Sequence, residues 1–206
     1  MTSIKLTKKD IFFAGINGSI FGLLLPVVMK SFNVSNQPPY ILMVVFFAVL
    51  AMVGVLIGYF LAKKIKPFFF QLTKFGATGA ANFAVDIGIL ALLVIIFYPH
   101  GDIPTISFAI FKSTSFVLAT INSYVWNKYW SFQDKESSDI LQEFGKFVLV
   151  SSVGLVLNVI VATIVKSLHG LTSLDPKTWA AISAMVASVA VLTWNFIGYK
   201  FLVFKK

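Results

Sequence analysis

A 72-residue step runs through the later part of the chain and restricts it to a fold in which one unit is used twice. Lys128 and Lys200, Phe132 and Phe204, Lys74-Phe75 and Lys146-Phe147, and Asp86 and Asn158 are each separated by that interval. The matches lie on apolar runs long enough to cross a bilayer as helices. The most informative run is Thr105–Phe132, which carries Lys112 near its start and closes with Asn122-Ser-Tyr-Val-Trp-Asn-Lys-Tyr-Trp-Ser-Phe132; Trp194-Asn195 and Lys200-Phe-Leu-Val-Phe204 echo it. The repeated unit is therefore a pair of helices. Each copy enters and leaves on one side, so the two are expected to be parallel, related by an axis along the membrane normal.

Such runs have nowhere to hide in a water-soluble globule of 206 residues, since 58% of the side chains are hydrophobic, 12% are charged and the mean hydropathy is +0.87. The chain is expected to be an all-α, polytopic membrane helix bundle. It has no Cys, which excludes a disulfide framework and thiolate chemistry. The net charge of +9 comes from lysine alone, with no Arg, and in a membrane protein it reports orientation and contact with anionic lipid headgroups rather than nucleic-acid binding. The N-terminal apolar run is too long for a signal peptide and lacks a small-residue cleavage site, so it is read as a retained first helix.

Six spans follow: Asp10–Lys30, Tyr40–Ala62, Gln71–Phe97, Thr105–Asn127, Phe144–Ser167 and Thr178–Tyr199. Residues 1–66 make an N-terminal hairpin of unassigned role, suited to completing a cavity, presenting a partner surface or anchoring the chain. Residues 71–206 make a four-helix domain with repeats over about 71–132 and 144–204. Gly18/Gly22 and Gly54/Gly58 have the spacing that lets helix backbones approach, within the chain or across a dimer face. With both termini cytoplasmic, 13 of 17 lysines fall on the inner side, and Lys30, Lys166 and Lys177 on the outer. Trp126, Tyr129, Trp130 and Tyr199 are then expected in the interfacial aromatic belt. The polar segment Gln133–Glu143 is read as a solvated turn or short surface helix.

Lys74-Phe75 with Gly79, Asn82 and Asp86, then Asn122 and Asn127-Lys128-Tyr129-Trp130-Ser131-Phe132, then Lys146-Phe147, Asn158, Asn195 and Lys200-Phe201-Leu202-Val203-Phe204 together resemble the GtrA-like family of small four-span membrane proteins. The resemblance covers residues 71–206 and includes the family's duplicated Asn-Arg-x-Trp-x-Phe ending. Lys128 stands where Arg is common, and Tyr199 replaces the second Asn; lysine lacks the planar fork that grips phosphate at two points. The resemblance implies translocation of polyprenyl-phosphate-linked sugars across the cytoplasmic membrane for glycosylation of a cell-surface polymer such as a polysaccharide or teichoic acid. It also implies, as for several members, partnership with or regulation of a polyprenyl-phosphate glycosyltransferase.

The residues themselves suit such a cargo, which needs a place where a phosphate and several hydroxyls shed water. Lys112 is the candidate for the phosphate, about 10 Å below the outer end of its helix, with Ser113, Thr114 and Ser115 beside it. A lysine at that depth costs about 3 kcal/mol unless it finds an anion or snorkels outward, and snorkelling is the competing reading. Asp86 lies too deep to reach water alone. It pairs with Lys112 as a structural clamp, accepts sugar hydroxyls, or takes up a proton. Asn82, Asn122, Asn158 and Asn195 fit either a polar path for sugar hydroxyls or interhelical bonds that hold the bundle together. Lys74, Lys128, Lys146 and Lys200 form a repeated inner quartet, either orientation signals alone or a basic rim that gathers the anionic lipid-linked sugar.

Enzyme chemistry has little to work with. His100 and His169 fall in separate outer loops, and no phosphate-binding glycine loop or metal motif is present, so neither catalysis nor a metal or other cofactor is expected. Three functions remain: a translocase (flippase), a non-transporting membrane subunit of a glycosyltransferase, and a small multidrug-type exporter. A bundle this small against a bulky headgroup favours a homodimer or a complex.

Overall fold

The structure, a computed structural model, describes residues 4–31, 34–99, 103–133, 139–171, 173 and 176–204, and is helical throughout with no strand among them. His100, Lys205, Lys206 and residues 134–138 of the 133–143 connector, Lys135 among them, lie outside the described residues, as does the side chain of Lys177. Six helices have the length and apolar composition to cross a membrane. They fall into two compact units, Met1–Gln133 and Asp134–Lys206.

The first unit holds α1 (Lys8–Ser31), α2 (Tyr40–Lys64), α3 (Phe68–Phe97) and α4 (Thr105–Trp126). The N-terminal hairpin thus shares a unit with the first copy of the repeat. Two glycines set the approach of α1 to α2: a Cβ on Gly18 would lie 2.1 Å from the Phe47 carbonyl oxygen, and one on Gly22 would lie 2.5 Å from that of Met43. Backbone meets backbone there, which only glycine permits. Gly58 of α2 makes room for the Thr73 side chain of α3, whereas Gly54 faces open space. Ala14, Val55, Ala62, Phe70 and Trp130 form a buried cluster, with Phe13, Tyr59 and Trp126 packed around it.

α1 and α3 run parallel and in register. Asp10 meets Lys74 near their N-terminal ends, and Leu24 lies against Gly88 fourteen positions further along both helices. Between these contacts α3 presents Ala77, Ala81 and Ala84, a stripe of small residues that admits a neighbouring helix closely. At the other end of α3 the turn into α4 is tied by the Tyr98 and Ser107 hydroxyls, 2.7 Å apart.

The second unit is a hairpin of α5 (Ile140–Ser167) and α6 (Pro176–Gly198), joined through a 3-10 turn at Leu168–Leu171. The Asp139 carboxylate caps α5, accepting from the Gln142 amide at 3.0 Å. Two indoles on α6 donate to α5 carbonyls, Trp179 to Val165 at 2.9 Å and Trp194 to Val150 at 3.0 Å. Gly154 leaves room for the Asn195 amide.

The 72-residue repeat extends to an unusual backbone feature. α4 and α6 both end in a π-helical turn, Asn127–Ser131 and Tyr199–Val203, each closed by a bond five residues back, Phe132 to Asn127 (2.9 Å) and Phe204 to Tyr199 (2.8 Å). In each unit the closing phenylalanine packs on the repeated one, Phe132 on Phe75 and Phe204 on Phe147. Such wide turns persist only where side chains over-determine them, and they gather at functional sites.

Two expectations are corrected. Trp130 and Tyr199 are buried rather than set in the interfacial belt, because each has an internal partner for its polar atom. The Trp130 indole donates to Asp10, and the Tyr199 hydroxyl lies 2.7 Å from that of Ser151 while its ring stacks on Phe147. Tyr129 is exposed, and Trp126 is half-buried against Phe13 and Trp130.

Candidate functional site

α3 and α4 bring Asp86 and Lys112 together, half-buried, in the first unit. The Lys112 ammonium lies 2.5 Å from Asp86 Oδ2, and Ser115, one turn further along α4, donates to Asp86 Oδ1 at 2.8 Å. The geometry follows from the hairpin: Asp86 is about 16 Å before the end of α3 and Lys112 about 10 Å after the start of α4, so antiparallel neighbours meet at comparable depth. Ser115 is wholly buried, but the side chains of Lys112 and Asp86 retain 42% and 24% of their exposure. A fixed hydroxyl thus anchors a carboxylate whose ammonium partner is within reach from outside the first unit. Asp86 has two side-chain partners from its own hairpin.

The cluster has no second copy. At 72 residues' distance Asp86, Lys112 and Ser115 become Asn158, Ala184 and Ala187. The repeats share a scaffold and differ in charge, so any chemistry of this cluster belongs to the first unit.

The four asparagines are placed unequally. Asn122 donates to Asn82 at 3.4 Å, a long bond across α3 and α4 on the side of the pair nearer their cytoplasmic ends in the sequence-based topology. Asn158 is half-buried on α5, and the Asn195 Oδ1 is buried against Gly154 with no hydrogen-bond partner among the described residues. The structure therefore joins two of the four directly.

The lysine quartet does not form a uniform basic rim. Lys74 and Lys128 are buried, Lys200 is half-buried and Lys146 is exposed. Lys128 and Lys200 keep the repeat, each standing over the ring four positions earlier, Tyr124 at 5.8 Å and Phe196 at 5.7 Å. Lys74 leaves the rim because α1 covers it. Its ammonium lies 2.5 Å from Asp10 Oδ1 and 4.1 Å from the centre of the Phe70 ring, and both ion-pair side chains are 4% exposed. Asp10 also accepts from the Thr7 amide (2.9 Å), the Thr7 hydroxyl (2.7 Å) and the Trp130 indole (3.3 Å). Sequence reasoning alone misses this cluster. Its one signal is the lone carboxylate of the first span, at the same end as Lys74.

No group of three metal-ligating side chains occurs among the described residues. The fold and these clusters define a polytopic helical membrane protein in which a duplicated hairpin, unequal in charge, is joined by an additional N-terminal hairpin. Residues 74–204, more than half of the chain, match the family model described as GtrA/DPMS, transmembrane domain, and the protein belongs to that family. Neither a curated protein nor a solved structure matches the chain. Membership places it among membrane proteins that are generally non-enzymatic and are involved in polyprenyl-phosphate sugar translocation or glycosylation.

Proposed function

We propose that this chain is a translocase carrying a polyprenyl-phosphate-linked monosaccharide across the cytoplasmic membrane, where it supplies glycosylation of a cell-surface polysaccharide or teichoic acid. The observation that carries the reading is the Asp86–Lys112–Ser115 cluster, an ion pair kept in an apolar hairpin with its ammonium still reachable. Intramembrane charges are expensive and mark substrate paths by default. A lipid-linked phosphate is an anion of the kind that Lys112 already holds in the Asp86 carboxylate. As the phosphate takes the ammonium, Ser115 retains Asp86, whose freed oxygen accepts a sugar hydroxyl. The Asn82–Asn122 pair offers further donors and acceptors along the same hairpin. The lysine distribution, 13 of 17 on one side, supports both termini being cytoplasmic.

A second reading makes the chain a non-transporting subunit that anchors or regulates a polyprenyl-phosphate glycosyltransferase. It is favoured by the completeness of the Asp86 contacts, since two donors from its own hairpin make the cluster a sufficient structural clamp. Asp86→Asn and Lys112→Ala separate the two. Under the translocase reading both variants are inserted normally and abolish surface glycosylation while the lipid-linked sugar accumulates on the inner leaflet. Normal glycosylation by both variants overturns it. Loss of glycosyltransferase activity or of its membrane recovery on deletion of this chain supports the subunit reading.

A further inference from the structure

The repeat makes α3 and α5 counterparts, and the two helices treat the same stripe in opposite ways. On α3 it reads Lys74, Ala77, Ala81, Ala84 and Gly88; on α5 it reads Lys146, Leu149, Val153, Val156 and Ile160. The spacing of three and four keeps each set on one helix face. The α3 stripe is small and covered, with Ala81 wholly buried and Lys74 neutralised by Asp10. Within its own unit the α5 stripe is large and uncovered: Lys146 is exposed, as are all four apolar residues, and Val153 keeps 41% of its surface. Even the neighbouring π turn differs, since Trp130, which donates to Asp10, is 2% exposed and its counterpart Leu202 is 57% exposed.

We propose that the α5 stripe is the docking surface for the isoprenoid lipid itself, with the phosphate on Lys146 and the tail along Leu149, Val153, Val156 and Ile160. The inference rests on the translocase reading for its choice of lipid. Charge and bulk choose the class of occupant. A lysine at the polar end of an apolar stripe about 21 Å long is complementary to an anionic head on a long hydrocarbon tail. Bulky, branched residues hold a helix backbone off, whereas the alanine and glycine stripe of α3 admits one. Asp10 acts in the opposite sense, because its carboxylate occupies the equivalent lysine of the first unit and keeps lipid phosphate away from it. The N-terminal hairpin thereby makes loading one-sided.

The test uses the full chain in detergent with an equimolar mixture of undecaprenyl phosphate and phosphatidylglycerol, and native mass spectrometry of what is retained. The wild-type chain retains undecaprenyl phosphate in preference to phosphatidylglycerol. Lys146→Gln lowers that retention about fivefold, the worth of one lysine at an anionic headgroup, and Lys146→Arg restores it. The double variant Asp10→Asn/Lys74→Gln, which removes both buried charges together, leaves it unchanged. Wild-type retention by Lys146→Gln overturns the docking surface and leaves the translocase reading standing. Equal retention of both lipids by the wild type shows a bulk anionic-lipid contact and overturns the choice of occupant. Retention of neither overturns this inference and the translocase reading alike. A dimer cross-linked through cysteines placed at Val153 and Val156 shows a second copy on the stripe and also overturns it.

Discussion

Asp10 and Lys74, 64 positions apart, form an ion pair that is 4% exposed on both sides and joins the N-terminal hairpin to the family domain. Removing one member leaves the other buried and unpaired, which costs about 3–5 kcal/mol, whereas removing both spares that penalty. Asp10→Asn and Lys74→Gln are each expected to lower thermal stability in detergent strongly, and the double variant to recover most of the loss. Additive losses would show that the two side chains do not depend on each other.

Gly18 and Gly22 are the second point at which residues 1–66 are committed. A side chain at Gly22 meets the α2 backbone around Met43 and Val44, which no rotamer can relieve. Gly22→Val is expected to separate α1 from α2 and raise protease sensitivity of the N-terminal hairpin. Gly54→Val, which points into open space, should leave it unchanged.

The membrane class, the six spans and the duplicated hairpin were legible because apolar length and a fixed 72-residue interval are one-dimensional signals. The Asp86–Lys112 pair was legible as one of several options, since antiparallel neighbours of known depth leave two opposite charges within apolar spans few other partners. The Asp10 cluster was not, because α1 and α3 are separated by a whole helix and sequence spacing does not say which face of α1 meets α3. The same lack of facing information assigned Trp130 and Tyr199 to the interface and spread the lysine quartet evenly. The π-helical ends were invisible, since no residue type dictates a five-residue bond; Asn127 and Tyr199 serve the same turn with different contacts.

Those contacts give a third prediction. Asn127 donates to the Ser123 carbonyl at 2.8 Å, whereas Tyr199 relies on the Phe147 stack, 4.3 Å between centroids, and the Ser151 hydroxyl. Tyr199→Phe keeps the stack and is expected to cost about 0.6 kcal/mol, the average for a hydrogen bond between membrane helices. Tyr199→Asn loses the stack as well and should cost several times more, read as melting temperature. Equal effects would place the fastening in the hydroxyl alone.

Ser115→Ala probes the anchor of Asp86 without touching a charge. Stability should fall by about 0.6 kcal/mol, while transport falls further because the carboxylate is no longer held as the cargo takes Lys112. A stability loss with unchanged transport would make Ser115 a packing residue.

The most direct measurement reconstitutes the chain in liposomes and follows the leaflet accessibility of an added undecaprenyl-phosphate-linked sugar. The wild-type chain is expected to move the sugar lipid between leaflets, and Asp86→Asn and Lys112→Ala, recovered in equal amount, are expected not to. Transfer by both variants at the wild-type rate, or none by the wild-type chain, would contradict the translocase reading.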